Sequence, residues 1–234
     1  MGWAFQESVL KRGFARWLGY NLISMKITKL WHCCLLIETK GKKILTDPGC
    51  FTPEAHSKLE GIHAILFTHE HSDHYHLDSL KILLEKNPDV QIFANTSVSE
   101  LLSKESIKYV TIQDGQTVDF EGIILTGYWV QHQPQHSTWP FSSNTWFFID
   151  DKLFYPGDAL TDPMRPIDVL ALPVAGWWVS THEFIDYAIK LKPRIAFPVH
   201  DHIRFISSHN VPAKILPENG IEFVPMIEGD SREF

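Results

Sequence analysis

The sequence predicts an α/β domain in which mixed sheets are covered by helices. Short runs of strand-type apolar residues alternate with segments of helical periodicity from Met25 onward. Two passages, 61–94 and 168–199, run strand, helix and strand, and no short repeat or low-complexity segment interrupts them. With 234 residues, of which 44% are hydrophobic and 21% charged, the chain is long enough to bury a sizeable core.

The segment 25–104 is expected to contain five strands and two helices. The strands are predicted at 25–30, 33–39, 42–46, 61–68 and 90–94, and the helices at 77–87 and 95–104. Asp78 lies near the start of the first helix, and Asn87-Pro88 ends it. Asn95 is expected to cap the second helix, because its side chain can accept a hydrogen bond from an early free amide.

The segment 117–199 is expected to contain six strands and one helix. The strands are predicted at 117–120, 122–130, 145–150, 152–156, 168–173 and 194–199, and the helix at 181–192. The last two strands and the helix between them form the second strand–helix–strand passage.

Residues 1–24 are predicted to form a helical extension to a single domain at 25–234. Apolar residues recur in the extension at roughly helical spacing, with Lys11, Arg12 and Arg16 between them. Such a basic amphipathic helix can lie on a membrane surface, or it can pack on its own domain. The stretch can also be an extension upstream of a start at Met25. No apolar run reaches the ~20 residues that span a bilayer, so no transmembrane segment is expected.

Charge and cysteine content limit the classes of partner and the compartment. The formal net charge is -7 and the pI is about 6.0, so electrostatics give no reason to expect nucleic acid as a partner. The three cysteines, Cys33, Cys34 and Cys50, are odd in number, and the adjacent pair points to opposite faces of a predicted strand. A disulfide framework is therefore not expected, and a reducing cytoplasm is the predicted location. A homo-oligomer is left open.

The stretch THEHSDHYH, residues 68–76, concentrates four histidines, one aspartate and one glutamate. It follows a predicted strand, so it lies on a loop at the carboxyl end of that strand, where α/β folds commonly place their sites. On an extended turn His69 and His71 can share one cation, while Asp73 and His74 can turn toward a second. Imidazole and carboxylate suit Zn²⁺, and also Mn²⁺ or Fe²⁺. Two ions need more donors than this cluster supplies.

Three later segments, each just after a strand-type run, offer the missing donors. YWVQHQPQH contains His132 and His136, LFYPGDAL contains Asp158, and AFPVHDH contains His200. Because four strand ends each carry an imidazole or a carboxylate, the sequence predicts one shared metal centre.

These motifs resemble the metallo-β-lactamase-fold hydrolases. In that superfamily H-x-H-x-D-H is followed by a distant histidine, an aspartate in a Gly-Asp turn and a final histidine, as in THEHSDH, LFYPGDA and AFPVHD here. The resemblance covers nearly the whole chain from Met25. The opening KLWHCCLLIETKGKKILTDPG is similar to the subgroup of the L-ascorbate-6-phosphate lactonases and, more distantly, the N-acyl phosphatidylethanolamine phospholipases. The resemblance implies a four-layer αβ/βα sandwich of two mixed sheets flanked by helices, with two divalent metal ions, Zn²⁺ first among them, at one sheet edge.

The resemblance also implies a role for each donor. The first metal ion would be held by His69, His71 and His132. The second would be held by Asp73, His74 and His200, and Asp158 would bridge the two. Asp73 and Asp158 are the expected catalytic carboxylates.

Four further residues are expected beside the metal ions: Asp47, His32, His136 and Trp178. The alignment of the Gln-His element and its spacing to NTWFFID favour His132 over His136 as the ligand, so His136 becomes a pocket residue. Asp47 is expected to orient a ligand or a water molecule, as carboxylates behind metal ligands do. The two tryptophans in AGWWVSTHEF lie where substrate selection is expected.

The predicted reaction is hydrolysis of an ester, lactone or phosphodiester bond in a small molecule. A hydroxide that bridges two cations is a nucleophile at neutral pH, because a single zinc ion already lowers the pKa of water to ~7. A nuclease on the same fold is one alternative, but it would need a basic surface, which the net charge of -7 disfavours. A non-enzymatic metal-binding or interaction protein is the other, and it would be expected to have lost a ligand. None is obviously lost.

Overall fold

The computed structural model describes residues 24–51, 53–139, 142–202 and 209–234. The predicted extension 1–24 lies outside these ranges apart from Ser24. Within the described ranges, no helix has the length and apolar character needed to cross a membrane.

The strands and helices follow one another in the predicted order, with five additions that the sequence did not predict. The strands are β1 Met25–Trp31, β2 Cys34–Thr39, β3 Lys42–Thr46, β4 Ala64–Phe67, β5 Gln91–Ala94, β6 Val110–Thr111, β7 Gln116–Phe120, β8 Ile123–Gln131, β9 Ser143–Ile149, β10 Leu153–Tyr155, β11 Val169–Pro173, β12 Ile195–Val199, β13 Glu222–Phe223 and β14 Ser231–Glu233. The helices are α1 Pro53–His56, α2 Leu77–Lys86, α3 Thr96–Lys104, α4 Thr181–Leu191 and α5 Asn210–Glu218.

The strands form two seven-stranded mixed sheets. The first sheet has the order β14-β1-β2-β3-β4-β5-β6, and the second has the order β13-β12-β11-β10-β9-β8-β7. In the first sheet β3 to β6 run parallel, and the other neighbours are antiparallel. In the second sheet β10 to β13 run parallel, and β7 to β10 are antiparallel. Each sheet therefore has a parallel part whose strands end at one common edge.

The inner faces of the two sheets pack against each other. Ile27 and Leu66 of the first sheet and Leu125 and Phe197 of the second belong to one buried cluster. These strands alternate inward and outward side chains, so each sheet needs a cover on its outer face as well.

Helices supply that cover on both sides. On the first sheet, Leu80 of α2 and Val98 of α3 belong to the cluster that contains Phe67. On the second sheet, α4 and α5 contribute Phe184 and Leu216 to the cluster that contains Leu170 and Ala196. The order helix, sheet, sheet, helix confirms the predicted αβ/βα sandwich.

The predicted elements agree with the structure to within three residues at each end. The Asn95 cap of α3 is confirmed, because its side-chain oxygen accepts a hydrogen bond from the Val98 amide at 3.0 Å. The elements β6, β13, β14 and α1 were missed because two to four residues show no measurable period. Helix α5 was missed because Pro212 and Pro217 hide its helical pattern.

Candidate metal centre

The residues predicted to bind metal ions meet at one edge of the two sheets. His69 follows β4, His132 follows β8, Asp158 follows β10 and His200 follows β12. In the second sheet β8 and β10 are both antiparallel to β9, and β10 and β12 are both parallel to β11. The strands β8, β10 and β12 therefore run in the same direction. Their carboxyl ends therefore gather at one edge, where the loop after β4 meets them.

The donor atoms form two overlapping groups. The first group contains His69, His71, His132 and Asp158. The second group contains Asp73, His74, Asp158 and His200. Within each group, every pair of donor atoms lies within 4.8 Å. The structure thus brings together all seven predicted donors, and Asp158 belongs to both groups.

Asp158 lies at the centre of the cluster. Its Oδ2 is 3.0 Å from Nε2 of His200, 3.3 Å from Nε2 of His132 and 3.9 Å from Nε2 of His69. Its Oδ1 is 3.2 Å from Nε2 of His74. The carboxylate is 2% exposed and faces imidazoles of both groups, which is the position that a bridging ligand needs.

Several of these donor atoms are buried without a hydrogen bond among the described residues. They are Nε2 of His74, Nε2 of His132, Nε2 of His200 and Oδ1 of Asp158. Nε2 of His74 and Oδ1 of Asp158 approach to 3.2 Å without forming a hydrogen bond. Since an unsatisfied buried polar group costs about 1–3 kcal/mol, this arrangement calls for a partner. A divalent cation fits, because the available donors are imidazole nitrogens and carboxylate oxygens.

Hydrogen bonds behind the cluster turn the correct imidazole nitrogens inward. Nδ1 of His74 lies 2.8 Å from Oδ2 of Asp47, and Nδ1 of His132 lies 2.6 Å from the carbonyl oxygen of Gln133. A histidine that donates through Nδ1 presents a lone pair on Nε2. In both residues the hydrogen bond made by Nδ1 therefore directs the lone pair of Nε2 toward the other donor atoms.

His71 is oriented the other way round. Its Nε2 lies 3.1 Å from Oγ of Ser142, and its Nδ1 lies 3.0 Å from Nε2 of His69. In turn, Nδ1 of His69 lies 3.0 Å from Oγ1 of Thr68. The first group thus presents Nε2 from two histidines and Nδ1 from the third.

Burial and mutual attraction set the charges of the cluster. Burial holds the pKa of His69 well below its usual value, so this imidazole is neutral and can donate a lone pair. Burial raises the pKa of Asp158, but electrostatic attraction to the imidazoles of His200 and His74 outweighs it and brings the pKa well below its usual value. Asp158 therefore remains a carboxylate, which is the form that binds a cation.

The turn that carries Asp158 depends on glycine. Gly157 has a φ of +61°, and a Cβ built there would lie 2.3 Å from Oδ1 of Asn144. That same oxygen accepts a hydrogen bond from the Asp158 amide at 3.0 Å, while Nδ2 of Asn144 donates to the carbonyl oxygen of Pro156 at 2.8 Å. The side chain of Asn144 therefore holds both ends of the Pro-Gly-Asp turn, and only glycine fits between them.

His32 and Trp178 lie beside the second group. Nε2 of His32 is 3.2 Å from Oδ2 of Asp73, and its ring centroid is 4.1 Å from that of His200. Burial lowers the pKa of His32 to about 4. Trp178 is buried and meets the rings of His132 and His200 edge to face, at centroid distances of 5.8 and 5.3 Å.

His136 lies outside both donor groups. Its Nδ1 bonds to Oγ1 of Thr138 at 2.8 Å, and the side chain is exposed. Together with His71 and His132 it lines a cavity of about 200 Å³ next to the first group. This placement is that of a pocket residue.

Sequence reasoning did not identify several residues that support the cluster: Thr68, Ser142, Asn144 and Tyr155. Thr68 directly precedes His69 and was visible as part of the cluster stretch, but its hydroxyl contacts could not be read from spacing. Sequence reasoning also did not identify Cys33 as part of the site, although Cys33 forms a third group of close donor atoms with His32, His74 and His200.

Comparison with known proteins agrees with the fold and with the class of enzyme. The beta-lactamase superfamily domain matches residues 26–200. Protein Rv0786c of Mycobacterium tuberculosis is 31% identical over 184 residues, which cover 76% of this chain and 85% of that protein. A UPF0173 metal-dependent hydrolase of Thermoplasma acidophilum is 31% identical over 187 residues, which cover 73% of this chain and 81% of the relative.

A solved structure shows the same fold. Igni18, a metallo hydrolase from the hyperthermophilic archaeon Ignicoccus hospitalis, matches with a TM-score of 0.72 at 18% sequence identity, over 90% of this chain and 98% of that chain. The chain belongs to the beta-lactamase superfamily. It is a metal-dependent hydrolase with the metallo-β-lactamase fold, which confirms the predicted class of enzyme.

Proposed function

We propose that this protein is a dinuclear metal hydrolase that cleaves an ester, lactone or phosphodiester bond in a small molecule. The position of Asp158 carries the proposal. One buried carboxylate contacts imidazoles of two separate donor groups, at distances of 3.0 to 3.9 Å. A bridging carboxylate is characteristic of two-metal sites, in which the ions are about 3.5–4 Å apart.

The two donor groups assign the ligands. His69, His71 and His132 would hold the first ion, and Asp73, His74 and His200 the second, with Asp158 between them. Zinc is the proposed metal, since it accepts such mixed nitrogen and oxygen donors in open catalytic sites. When bound, the two ions polarise the bond that is cleaved and lower the pKa of a water molecule.

Asp73 is the proposed residue that orients the attacking water. Its side chain is 24% exposed and lines the open cleft beside Asp158 and His200. Burial raises its pKa, but the adjacent imidazoles of His200 and His32 outweigh this and lower the pKa well below its usual value. Asp73 is therefore an anion that can accept a hydrogen bond from a water molecule in the cleft.

The size of the cleft supports a small substrate. The space beside the second donor group measures about 360 Å³. Ligand pockets for small molecules measure about 300–1,000 Å³, so this space is at the small end of that range. Within the superfamily, we propose a place near the L-ascorbate-6-phosphate lactonases and N-acyl phosphatidylethanolamine phospholipases, on the strength of the opening KLWHCCLLIETKGKKILTDPG.

Metal analysis combined with activity tests this function. The protein as purified is analysed for bound metals and then assayed on panels of lactones and phosphodiesters. We expect about two divalent ions per chain and turnover on one panel. His69→Ala should abolish turnover and lower metal content, while His182→Ala, an exposed histidine on α4, serves as the control. A His69→Ala protein with full metal content and full rate would contradict the first ligand group.

A further inference from the structure

Large aromatic side chains lie in water around the cleft that holds the donor groups. Trp177 is 87% exposed, Trp139 is 62% exposed and Phe51 is 39% exposed. All three line the same space of about 360 Å³ as Asp73 and Asp158. Single exposed apolar residues are common on protein surfaces, but three around one cleft form an apolar patch of the kind that binds ligands.

These aromatic residues are continuous with the donor cluster. Phe51 stacks on His202 with a centroid distance of 4.0 Å and meets His32 edge to face at 5.1 Å. Buried Trp178 lines the same cleft and contacts His200. We call Phe51, Trp139, Trp177 and Trp178 together the aromatic wall. A group bound against this wall lies within reach of the donor atoms.

The chemistry of the wall defines what it can recognise. Tryptophan and phenylalanine bury about 150–250 Å² each, and aromatic rings prefer to pair with other rings in offset-stacked or edge-to-face geometry. The cleft also contains Ser72 and Gln135, which can bond polar atoms of a ligand. A molecule with a flat apolar part and a polar part matches this combination.

We propose that the aromatic wall binds a planar aromatic group of the substrate, next to the bond that is hydrolysed. The proposal rests on the proposed metal-dependent hydrolysis and adds the class of substrate. A volume of about 360 Å³ admits a group of one or two fused rings. Trp177 and Trp139 are then the residues that determine specificity.

Binding of metal-chelating inhibitors tests the wall without knowledge of the scissile bond. Acetohydroxamate, cyclohexanecarbohydroxamate and 2-naphthohydroxamate share one chelating group and differ only in the attached part. Their affinities for the zinc-loaded protein are measured by calorimetry. We expect the naphthyl compound to bind about 100-fold more tightly than acetohydroxamate, with the cyclohexyl compound between them, because stacking adds to the burial of apolar area.

Variants of the wall should change this ratio and leave the chelating group unaffected. Trp177→Ala and Trp139→Ala should each reduce the naphthyl preference about tenfold, while acetohydroxamate binds within about twofold of wild type. Trp129→Ala is the matched control, since Trp129 is 54% exposed on β8 and does not line the cleft.

The outcomes separate the two proposals. A wild-type protein with equal affinity for all three compounds, or unchanged ratios in both tryptophan variants, would overturn the aromatic subsite. A cyclohexyl compound that binds as tightly as the naphthyl one would overturn the planar requirement. A zinc-treated protein that retains no zinc and binds no hydroxamate would instead contradict the metal centre itself, and the aromatic subsite with it.

Discussion

The carboxylate of Asp47 lies 2.8 Å from Nδ1 of His74, and both side chains are completely buried. Asp47 also accepts hydrogen bonds from the backbone amide and hydroxyl of Thr68 and from the hydroxyl of Tyr155, at 2.6 to 2.8 Å. Two residues therefore hold the carboxylate in place through three hydrogen bonds, and the carboxylate in turn holds the imidazole. Nε2 of His74 then points toward Asp158 at 3.2 Å.

Replacement of Asp47 should weaken metal binding although Asp47 is not a proposed ligand. The amide in Asp47→Asn can donate to Nδ1 of His74 and so favour the tautomer that carries its proton on Nε2. We expect metal affinity and activity to fall about 10–100-fold, as for other carboxylates behind a metal-binding histidine. Competition with a chromophoric chelator measures the affinity. Asp186→Asn, at an exposed position of α4, should leave both values unchanged.

The pair His132 and His136 offers a direct comparison of two histidines four residues apart. His132 is buried in the first donor group, whereas His136 is exposed and bonded to Thr138. His132→Ala should therefore abolish turnover and reduce metal content, while His136→Ala should retain most of both. Metal analysis and rates on the same preparations measure this. If His136→Ala proved the more damaging change, the assignment of the third ligand would be wrong.

Asp158→Asn tests whether one carboxylate holds two ions. The substitution keeps the shape of the side chain but removes its charge, so the repulsion between two cations is no longer offset at this position. We expect about one ion per chain instead of about two, and turnover lower by orders of magnitude. Circular dichroism should show an intact fold, because the change lies in a turn at the end of β10. Two retained ions and a normal rate would exclude the bridging role.

A largely buried ion pair that includes Asp201, the residue after His200, gives a prediction about stability. Lys29 is 1% exposed, and its ammonium group donates to Oδ2 of Asp201 at 2.6 Å and to the carbonyl oxygen of Pro198 at 2.9 Å. Asp201 also bonds to His209 at 3.0 Å. This network ties β1 to the residue that follows His200.

Lys29→Met should destabilise the protein by about 3–5 kcal/mol, because it removes one partner of a buried charged pair. Urea unfolding measures the loss. Lys26→Met is the control on the same strand, since Lys26 is 43% exposed and its pair with Glu38 is at the surface. That change should alter stability by about 0.5 kcal/mol or less. If both variants lost a similar amount of unfolding free energy, the burial of Lys29 would not make its ion pair more stabilising than the exposed pair of Lys26.

Much of the architecture could be predicted because the long elements carry a clear period. In β1 more buried and less buried residues alternate from Met25 to Leu30, and helices such as α2 and α4 show helical spacing over ten residues or more. The short strands β6, β13 and β14 form only where a neighbouring strand offers free backbone groups. Their existence is a property of the assembled sheet, and no local pattern encodes it.

The donor motif could be predicted because it is local. His69, His71, Asp73 and His74 lie within six residues, so the turn after β4 brings their side chains together whatever the rest of the chain does. The other donors could be located because each follows a strand, and strands that run in one direction end at one edge. Residue order alone therefore determines the class of fold, the type of donor and its place at the sheet edge.

The contacts that orient those donors depend on tertiary structure. Tyr155 reaches Asp47 across 108 positions of the chain, and Asp47 reaches His74 across 27. No sequence pattern reports such contacts, because the first arises from the packing of one sheet on the other and the second from the pairing of β3 with β4. The same packing places His132 inside the donor group and leaves His136, four residues later, in solvent. Spacing along the chain indicates which residues can bind a metal ion. Three-dimensional packing determines which of them do meet, because only packing decides which side chains face one another.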